Sequence, residues 1–332
     1  MKIPMRYFSI IGIILFVVII SQTDIPQLLS IILNSNYLLL ILAFLISAIE
    51  VVIRSTKFRL LVNIFSKGYK LKDALKTYLI GFAFGAVTPS KTGDLIKIID
   101  LKNKTGMDMK RCFSISVFDR IIDFSNLIFT SILSITIAVI LFSDLDHILI
   151  PLLLILLALF LSVLFGLTKY SEILLRPFYH LIPGTFKAKA KEIYYSFREI
   201  IVIARNSHYF FIYLIINLIA WIVTYFVPYI IAMAIGLDVP LLYFVLLMPI
   251  VAVVEVLPIT LFGIGSRDLT LILLLSPMGL KKEAIISISM LTLFIGQLPR
   301  ALAGFLISWK SKKPINTETI NKKEKIINTE NN

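Results

Sequence analysis

The sequence predicts an all-α fold, a polytopic bundle of helices integral to a membrane. Of the 332 residues, 58% are hydrophobic, and the mean hydropathy is +0.92. Apolar runs long enough to cross a bilayer recur along the chain, and Lys and Arg gather in the segments between them. The formal net charge of +13 therefore indicates orientation in the membrane and contact with anionic headgroups, and it argues against a nucleic-acid partner.

Two apolar runs begin the chain, and we predict them as helices over residues 7–21 and 37–55. No small-residue cleavage site follows the first run, so we expect it to be retained as a helix. Segment 21–36 between the runs has no Lys or Arg, whereas segment 54–76 has seven basic residues. The positive-inside rule places the N-terminus and segment 54–76 in the cytoplasm, where we expect the basic side chains to contact anionic lipid.

The next apolar run, residues 77–90, is too short to span a bilayer and breaks into polar and charged residues at Pro89. Basic segments flank it on both sides. We therefore predict a re-entrant segment from the cytoplasmic face, followed by an amphipathic connector at 91–111 on the membrane surface. Irregular backbone is tolerated at membrane depth only where protein buries it or where it lines a wet cavity. This stretch thus predicts one half of a polar site.

Three more crossings and one cytoplasmic segment follow. We predict membrane-spanning helices over residues 112–142, 148–168 and 209–235. Between the last two, residues 169–207 contain seven basic residues against three acidic ones, which predicts an amphipathic segment on the cytoplasmic side.

The C-terminal part repeats the pattern of the first half. Residues 241–277 are apolar but interrupted by charged residues, Pro and Gly, so we predict a second re-entrant segment from the outer face; alternatively, residues 241–262 simply span. Residues 284–309 form the last full helix, and residues 310–332 a disordered cytoplasmic tail. The prediction is one domain, residues 1–309, with about six crossings, two re-entrant segments and both termini in the cytoplasm.

The two interruptions share an order of residues that suggests an inverted repeat. Each ends an apolar half-segment and opens a helix with an acidic residue in its first turn. Transporters built from such repeats bind substrate between them near the midplane. Exposed backbone N–H groups at Gly93 and Gly265, with Lys91 and Arg267 beside them, would suit a phosphate. The alternative is that Pro and Gly only kink closely packed helices.

Charged residues inside the apolar runs add further candidates for this site. Asp119 and Asp123 share a helix face, and Arg120 can reach Asp123, although a cluster so near a helix end could instead extend to the cytoplasmic interface. Glu50 and Arg54 are four residues apart and are expected to pair.

Glu255 lies deep in its run and has no partner nearby in sequence. Arg267 or Arg300 could be its counter-charge, or it could be solvated near the outer face. The predicted substrate-binding residues are Pro89, Ser90, Lys91, Gly93, Asp94, Lys97, Asp119, Arg120, Asp123, Glu255, Pro258, Thr260, Gly263, Gly265, Arg267 and Asp268.

No motif in the chain predicts an enzyme. A nucleophile elbow, a phosphate-binding Walker loop, zinc-ligand spacing and a dinucleotide fingerprint are all missing from the sequence. Cys112 is the single cysteine, and the three His are scattered, so we predict no metal and no cofactor. Paired acid and base chemistry by Asp119 and Asp123 stays open as an alternative.

Three motifs resemble the flippase-like family that includes the transmembrane region of lysylphosphatidylglycerol synthase. They consist of Pro89, Ser90, Gly93, Asp94 and Lys97; of Asp119, Arg120 and Asp123; and of Pro258, Thr260, Gly263, Gly265, Arg267 and Asp268. The resemblance covers about residues 5–310. Family members more often have Glu at positions 94, 119 and 268 and Arg at position 97. This chain has Asp and Lys at these positions, so the sign of each charge is the same but the side chain is different.

The resemblance implies a lipid translocase of the cell membrane that moves an anionic or lipid-linked headgroup between leaflets. Its expected partners are membrane lipids, either an anionic phospholipid or a polyprenyl phosphate. Two alternatives stay open: a membrane-embedded transferase acting on polyprenyl-phosphate-linked sugar, and a non-transporting subunit that binds a glycosyltransferase. Because the synthase domain is missing from these 332 residues, we do not expect lysyl transfer.

Overall fold

The computed structural model describes residues 19, 21, 23–141, 146–166, 184–256 and 263–310. All regular secondary structure in these residues is helical, which confirms the predicted all-α class. The helices are α1 (Ile25–Leu33), α2 (Tyr37–Phe65), α3 (Leu71–Ala86), α4 (Lys97–Thr105), α5 (Met109–Leu141), α6 (Asp146–Gly166), α7 (Gly184–Asn206), α8 (Tyr209–Ala234), α9 (Leu241–Val256), α10 (Ser266–Leu275) and α11 (Lys282–Lys310). Short 3₁₀ helices lie at Pro89–Ile96 and Ser276–Met278.

Four of the described helices, α2, α5, α8 and α11, are long and apolar enough to cross a membrane. The shortest of them has 26 residues. At 1.5 Å per residue, each exceeds the roughly 30 Å of a bilayer's hydrocarbon core. Helices α6 and α9 add shorter apolar segments, Ile150–Ser162 and Leu241–Val256. The protein is therefore a polytopic membrane protein, as predicted.

Helix α1 occupies part of the predicted loop 21–36, so that expectation is wrong for residues 25–33. Asp24 explains the difference, because its carboxylate accepts a hydrogen bond from the backbone N–H of Gln27 and caps the helix. Asn36 caps α2 in the same way through the N–H groups of Leu38 and Leu39.

Helix α2 continues ten residues beyond its predicted end at residue 55. Arg54 and Lys57 do not end it, because both side chains form ion pairs inside the bundle. The prediction that these two residues belong to a lipid-contacting loop is therefore wrong. Buried charges that find partners are compatible with a continuous membrane helix.

Helix α3 has 16 residues, about 24 Å, which is shorter than the hydrocarbon core. After it, the Pro89–Ile96 segment folds back and packs against α3. Gly93 makes this close approach possible, since a Cβ at this position would overlap the carbonyl of Phe84. The chain then enters α4, whose Lys97 is buried. The predicted surface connector 91–111 is therefore wrong for this part, which belongs to the packed bundle.

Helix α9 also has 16 residues, and a turn at residues 263–265 precedes a short helix, α10. Gly263 and Gly265 have φ values of +74° and +86°, which L side chains rarely adopt. Helix α11 contains a π-helical turn at Thr292–Gln297, and such turns are frequent at functional sites. The equal lengths of α3 and α9 agree with the predicted repeat, which stays a prediction.

Two large hydrophobic clusters and a small third one around Leu28 form the core of the described residues. One contains Phe58, Ile115 and Tyr213 from α2, α5 and α8, and the other contains residues farther along α5 and α8 together with α9, α10 and α11. On α2, the charged residues at positions 50, 54 and 57 fall between Ala43 of the second cluster and Phe58 of the first. The bundle thus has a charged layer between two apolar layers.

Candidate functional site

A cavity of about 190 Å³ lies in this charged layer, lined by residues of α2, α3, α4, α5, α8, α9, α10 and α11. It has room for several water molecules or a phosphate-sized group. Among the residues that the structure describes, eleven lining side chains carry a formal charge: Glu50, Arg54, Lys57, Asp94, Lys97, Asp119, Arg120, Asp123, Glu255, Arg267 and Arg300. Six of these are cationic and five are anionic.

Lys57 joins α2 to α5 at one side of the cavity. Its Nζ atom lies 3.0 Å from Asp119 Oδ1 and 2.7 Å from Asp123 Oδ1, and it is also 3.3 Å from Asn217 Oδ1 of α8. Lys57 is only 2% exposed. Asp119 and Asp123 share a helix face, as predicted. Asp119 is buried among these partners, which favours a site inside the bundle over the alternative in which the cluster extends to the interface.

Lys97 extends these ion pairs to α4. Its Nζ atom lies 2.8 Å from Asp94 Oδ2 and 3.3 Å from Asp119 Oδ2. Arg120 Nη2 lies 2.7 Å from the same Asp94 oxygen. We call the six residues of these ion pairs the aspartate network: Lys57, Asp94, Lys97, Asp119, Arg120 and Asp123. Its three cations and three carboxylates balance in formal charge.

Glu50 holds two arginines on the other side of the cavity. Its Oε1 atom accepts hydrogen bonds from Arg54 Nε and Thr224 Oγ1, both at 2.7 Å, and its Oε2 atom accepts one from Arg300 Nη2 at 2.5 Å. The guanidinium of Arg54 also lies 4.8 Å from the ring centroid of Trp221. The predicted pair of Glu50 and Arg54 is confirmed. One carboxylate between two guanidinium groups leaves a surplus of positive charge here.

Arg267 is held mainly by a neutral residue. Its Nε atom donates to Ser289 Oγ at 2.8 Å and its Nη2 atom to the Ser289 carbonyl at 2.9 Å, and the residue is 3% exposed. Glu255 Oε1 accepts a hydrogen bond from Gln297 Nε2 at 3.0 Å. Arg300, one of the two expected counter-charges for Glu255, is instead bound to Glu50.

The backbone N–H groups predicted to bind phosphate are already occupied. The Gly93 N–H donates to Thr88 Oγ1 and the Gly265 N–H to Asp268 Oδ2, each at 2.7 Å. The Gly265–Asp268 bond caps α10, and the Thr88–Gly93 bond is a local contact within the chain between α3 and α4. The prediction of exposed N–H donors is therefore wrong, and the N–H groups available to an anion come from side chains.

The predicted site residues divide into three groups. The cavity brings together Asp94, Lys97, Asp119, Arg120, Asp123, Glu255 and Arg267. Four others support its walls: Gly93 and Gly263 allow close packing against α3 and Glu255, and Gly265 and Asp268 form the cap of α10. The backbone of Pro89, Ser90 and Lys91 lies in the 3₁₀ helix, and Pro258 and Thr260 lie outside the described residues.

Sequence reasoning did not assign Glu50, Arg54, Lys57 and Arg300 to the site. The first three are spaced i, i+4 and i+7, which places them on one face of α2. This spacing was a usable signal, because charges aligned on one face of an apolar helix point into a bundle rather than into lipid. For Arg300, the sequence indicates only that it could be a counter-charge for Glu255.

The described residues offer no ready metal site, since they contain no cluster of three His, Cys, Asp or Glu side chains suited to a metal ion. The carboxylates of Glu50, Asp94 and Asp119 are all engaged by cationic side chains.

A comparison with known families places the chain in a family. The family model described as the lysylphosphatidylglycerol synthase TM region matches residues 8–304 of the chain. The chain belongs to this family. Every residue that lines the cavity lies within the matched range, so the site is part of the family's transmembrane region. A comparison with curated proteins gave no match.

Proposed function

We propose that the protein moves a lipid with an anionic headgroup between the leaflets of its membrane, and that the headgroup passes through the cavity. A surplus of positive charge carries the proposal, since six cationic and five anionic side chains line the cavity among the described residues. An ionisable group at mid-bilayer costs about 2.5–3.5 kcal/mol on insertion scales and by default indicates a functional path. Eleven ionisable groups around one cavity of a membrane protein fit a path for a polar cargo.

The ion pairs around Glu50 can exchange partners without leaving a bare carboxylate. Arg54 and Arg300 both bind Glu50, so a phosphate that draws Arg300 away leaves Arg54 in place at 2.7 Å. A buried charge that loses its only partner is strongly destabilising. Two guanidinium groups on one carboxylate avoid that cost while a headgroup enters.

Both regions with interrupted helices, α3 with α4 and α9 with α10, contribute to the cavity. Tyr78 and Lys97 line it from α3 and α4, and Glu255 and Arg267 line it from α9 and α10. In transporters with broken helices, the substrate lies between such regions, and one region moves against the other to change access. The contribution of both regions to one cavity supports this mechanism here.

Transbilayer movement is measured in vesicles that contain the protein and phosphatidylglycerol with a fluorophore on one acyl chain. Dithionite, added outside, reduces the fluorophore only in the outer leaflet. We expect it to reduce nearly all the fluorophore in vesicles with the wild-type protein and only the outer-leaflet share in protein-free vesicles. The Lys104→Gln variant is the matched control, because Lys104 pairs with Asp73 outside the cavity and should not affect movement.

Two results would count against the proposal. Dithionite reduction equal to that in protein-free vesicles means that the protein does not move this lipid. Chemical conversion of the lipid by the protein in detergent, where there are no leaflets, would instead support a membrane-embedded transferase.

A further inference from the structure

Three buried N–H donors on cavity-lining residues have no acceptor among the described residues: Arg267 Nη1, Arg300 Nε and Trp221 Nε1. Buried donors nearly always have a hydrogen-bond acceptor, because a donor that leaves water without gaining one pays the full free energy of desolvation. Three such donors belong to residues that line one cavity, where a bound group would supply acceptor oxygens.

Other contacts hold each of the three side chains in place. Arg267 is held by Ser289, and Arg300 donates through Nη2 to Glu50 and to Ser47. The indole ring of Trp221 packs against the guanidinium of Arg54. The free N–H groups are thus presented by side chains that are already ordered, so a ligand would bind them while Arg300 still contacts Glu50, before any exchange of that ion pair.

The charges near these donors set the charge of the ligand. The aspartate network is balanced, so the surplus lies with Arg54, Arg267 and Arg300 against Glu50 and Glu255. Three cations and two carboxylates leave one positive charge. A ligand with one negative charge neutralises it, whereas a dianion leaves a buried negative charge without a partner.

We infer that Arg267, Arg300 and Trp221 form a subsite for the phosphodiester of a lipid headgroup with one net negative charge. The inference rests on the proposed function and names its substrate class, a monoanionic phospholipid rather than a lipid phosphomonoester. Arginine N–H groups pair strongly with phosphate oxygens, and the indole N–H adds one further donor.

Tryptophan fluorescence can report on this subsite directly. The chain has two Trp residues, and Trp309 is 82% exposed at the end of α11. In the Trp309→Phe variant, the remaining indole is the one that lines the cavity. This variant is purified in a neutral detergent and titrated with dioleoyl-phosphatidylglycerol, dioleoyl-phosphatidic acid, dioleoylglycerol or inorganic phosphate.

Phosphatidylglycerol should change the Trp221 emission saturably. Phosphatidic acid and inorganic phosphate should need at least about tenfold higher concentrations, and dioleoylglycerol should have no effect. An equal response to phosphatidic acid would overturn the preference for one charge. An equal response to inorganic phosphate would overturn the assignment to a lipid, and an equal response to dioleoylglycerol or no response to any probe would overturn the subsite itself.

Two variants test the donors, with bound phosphatidylglycerol measured by native mass spectrometry. Trp221→Phe keeps an aromatic ring beside Arg54 but removes the N–H, and Arg267→Gln removes a guanidinium. Each should weaken binding about tenfold, as expected for a hydrogen bond to a charged group. Trp309→Phe is the matched control and should bind like the wild type. Wild-type binding by both Trp221→Phe and Arg267→Gln, with unchanged melting temperatures, would overturn the assignment of these donors.

The vesicle assay separates this inference from the proposed function. Lipid movement by the wild type together with an unchanged Trp221 emission would overturn the subsite and leave the translocase in place. Saturable binding that depends on Arg267 without any lipid movement would support the subsite and contradict the translocase.

Discussion

Arg300 Nη2 lies 2.5 Å from Glu50 Oε2, and this ion pair joins α11 to α2 across 250 residues of sequence. The same carboxylate binds Arg54 of its own helix at 2.7 Å. Glu50 is 2% exposed, so both ion pairs are shielded from water. The carboxylate therefore compensates two buried cations, and its removal should have a large effect.

The Glu50→Gln variant should be destabilised by about 3–5 kcal/mol, because it leaves two buried guanidinium groups without a counter-charge. The free energy of unfolding can be measured by titrating the protein from mild micelles into sodium dodecyl sulfate. The double variant Glu50→Gln/Arg300→Met removes one of the orphaned charges and should regain a large part of the loss. A double variant as unstable as the single one would show that the buried cations are not the cause.

The Lys57→Met variant should lose about 3 kcal/mol or more, since it leaves Asp119 and Asp123 without the Nζ atom that lies 3.0 and 2.7 Å from them. Lys104→Met is the matched control. Lys104 also contacts a carboxylate, Asp73 at 2.9 Å, but its side chain is 34% exposed, so its loss should cost less than about 1 kcal/mol. Equal losses in the two variants would contradict the buried role of Lys57.

The Gly304→Ala variant should be destabilised by about 1–3 kcal/mol, because a Cβ at this position overlaps the Leu79 carbonyl and crowds Ala83 of α3. Gly296 is on the same helix, but a Cβ added there would lie 3.7 Å from its nearest neighbour, Ser47 Oγ, which is an ordinary contact distance. Gly296→Ala should therefore unfold with nearly the wild-type free energy. Comparable losses in both variants would indicate a general intolerance of α11 to substitution rather than close packing on α3.

The sequence was sufficient to predict the helical membrane class, the family and the two broken regions. It also predicted the pair of Glu50 and Arg54, because partners one helical turn apart are local. The ion pairs between α2 and α5 or α11 were not predictable in this way. Sequence spacing does not state which of several buried carboxylates and cations meet across 66 or 250 residues.

Two expectations are wrong because the sequence alone did not show which side chains are partners in the fold. The predicted end of α2 at residue 55 is too early. Without their buried partners, Arg54 and Lys57 look like the start of a basic loop. The N–H groups of Gly93 and Gly265 were expected to be exposed, yet the side chains of Thr88 and Asp268 bind them. The second error was avoidable, since an Asp three residues after a helix start is a usual capping position.

Arg267 offers the most direct test of the account, because it is 3% exposed, lines the cavity and keeps one N–H without an acceptor. The measurement is the rate at which fluorescent phosphatidylglycerol crosses vesicles that contain equal amounts of the wild type, Arg267→Gln or Lys104→Gln. We expect the Arg267→Gln variant to move the lipid at least about tenfold more slowly than the wild type, because it loses one charged hydrogen bond. The Lys104→Gln variant should move it at the wild-type rate. Equal rates for all three proteins, with matched melting temperatures, would contradict a headgroup path through this cavity.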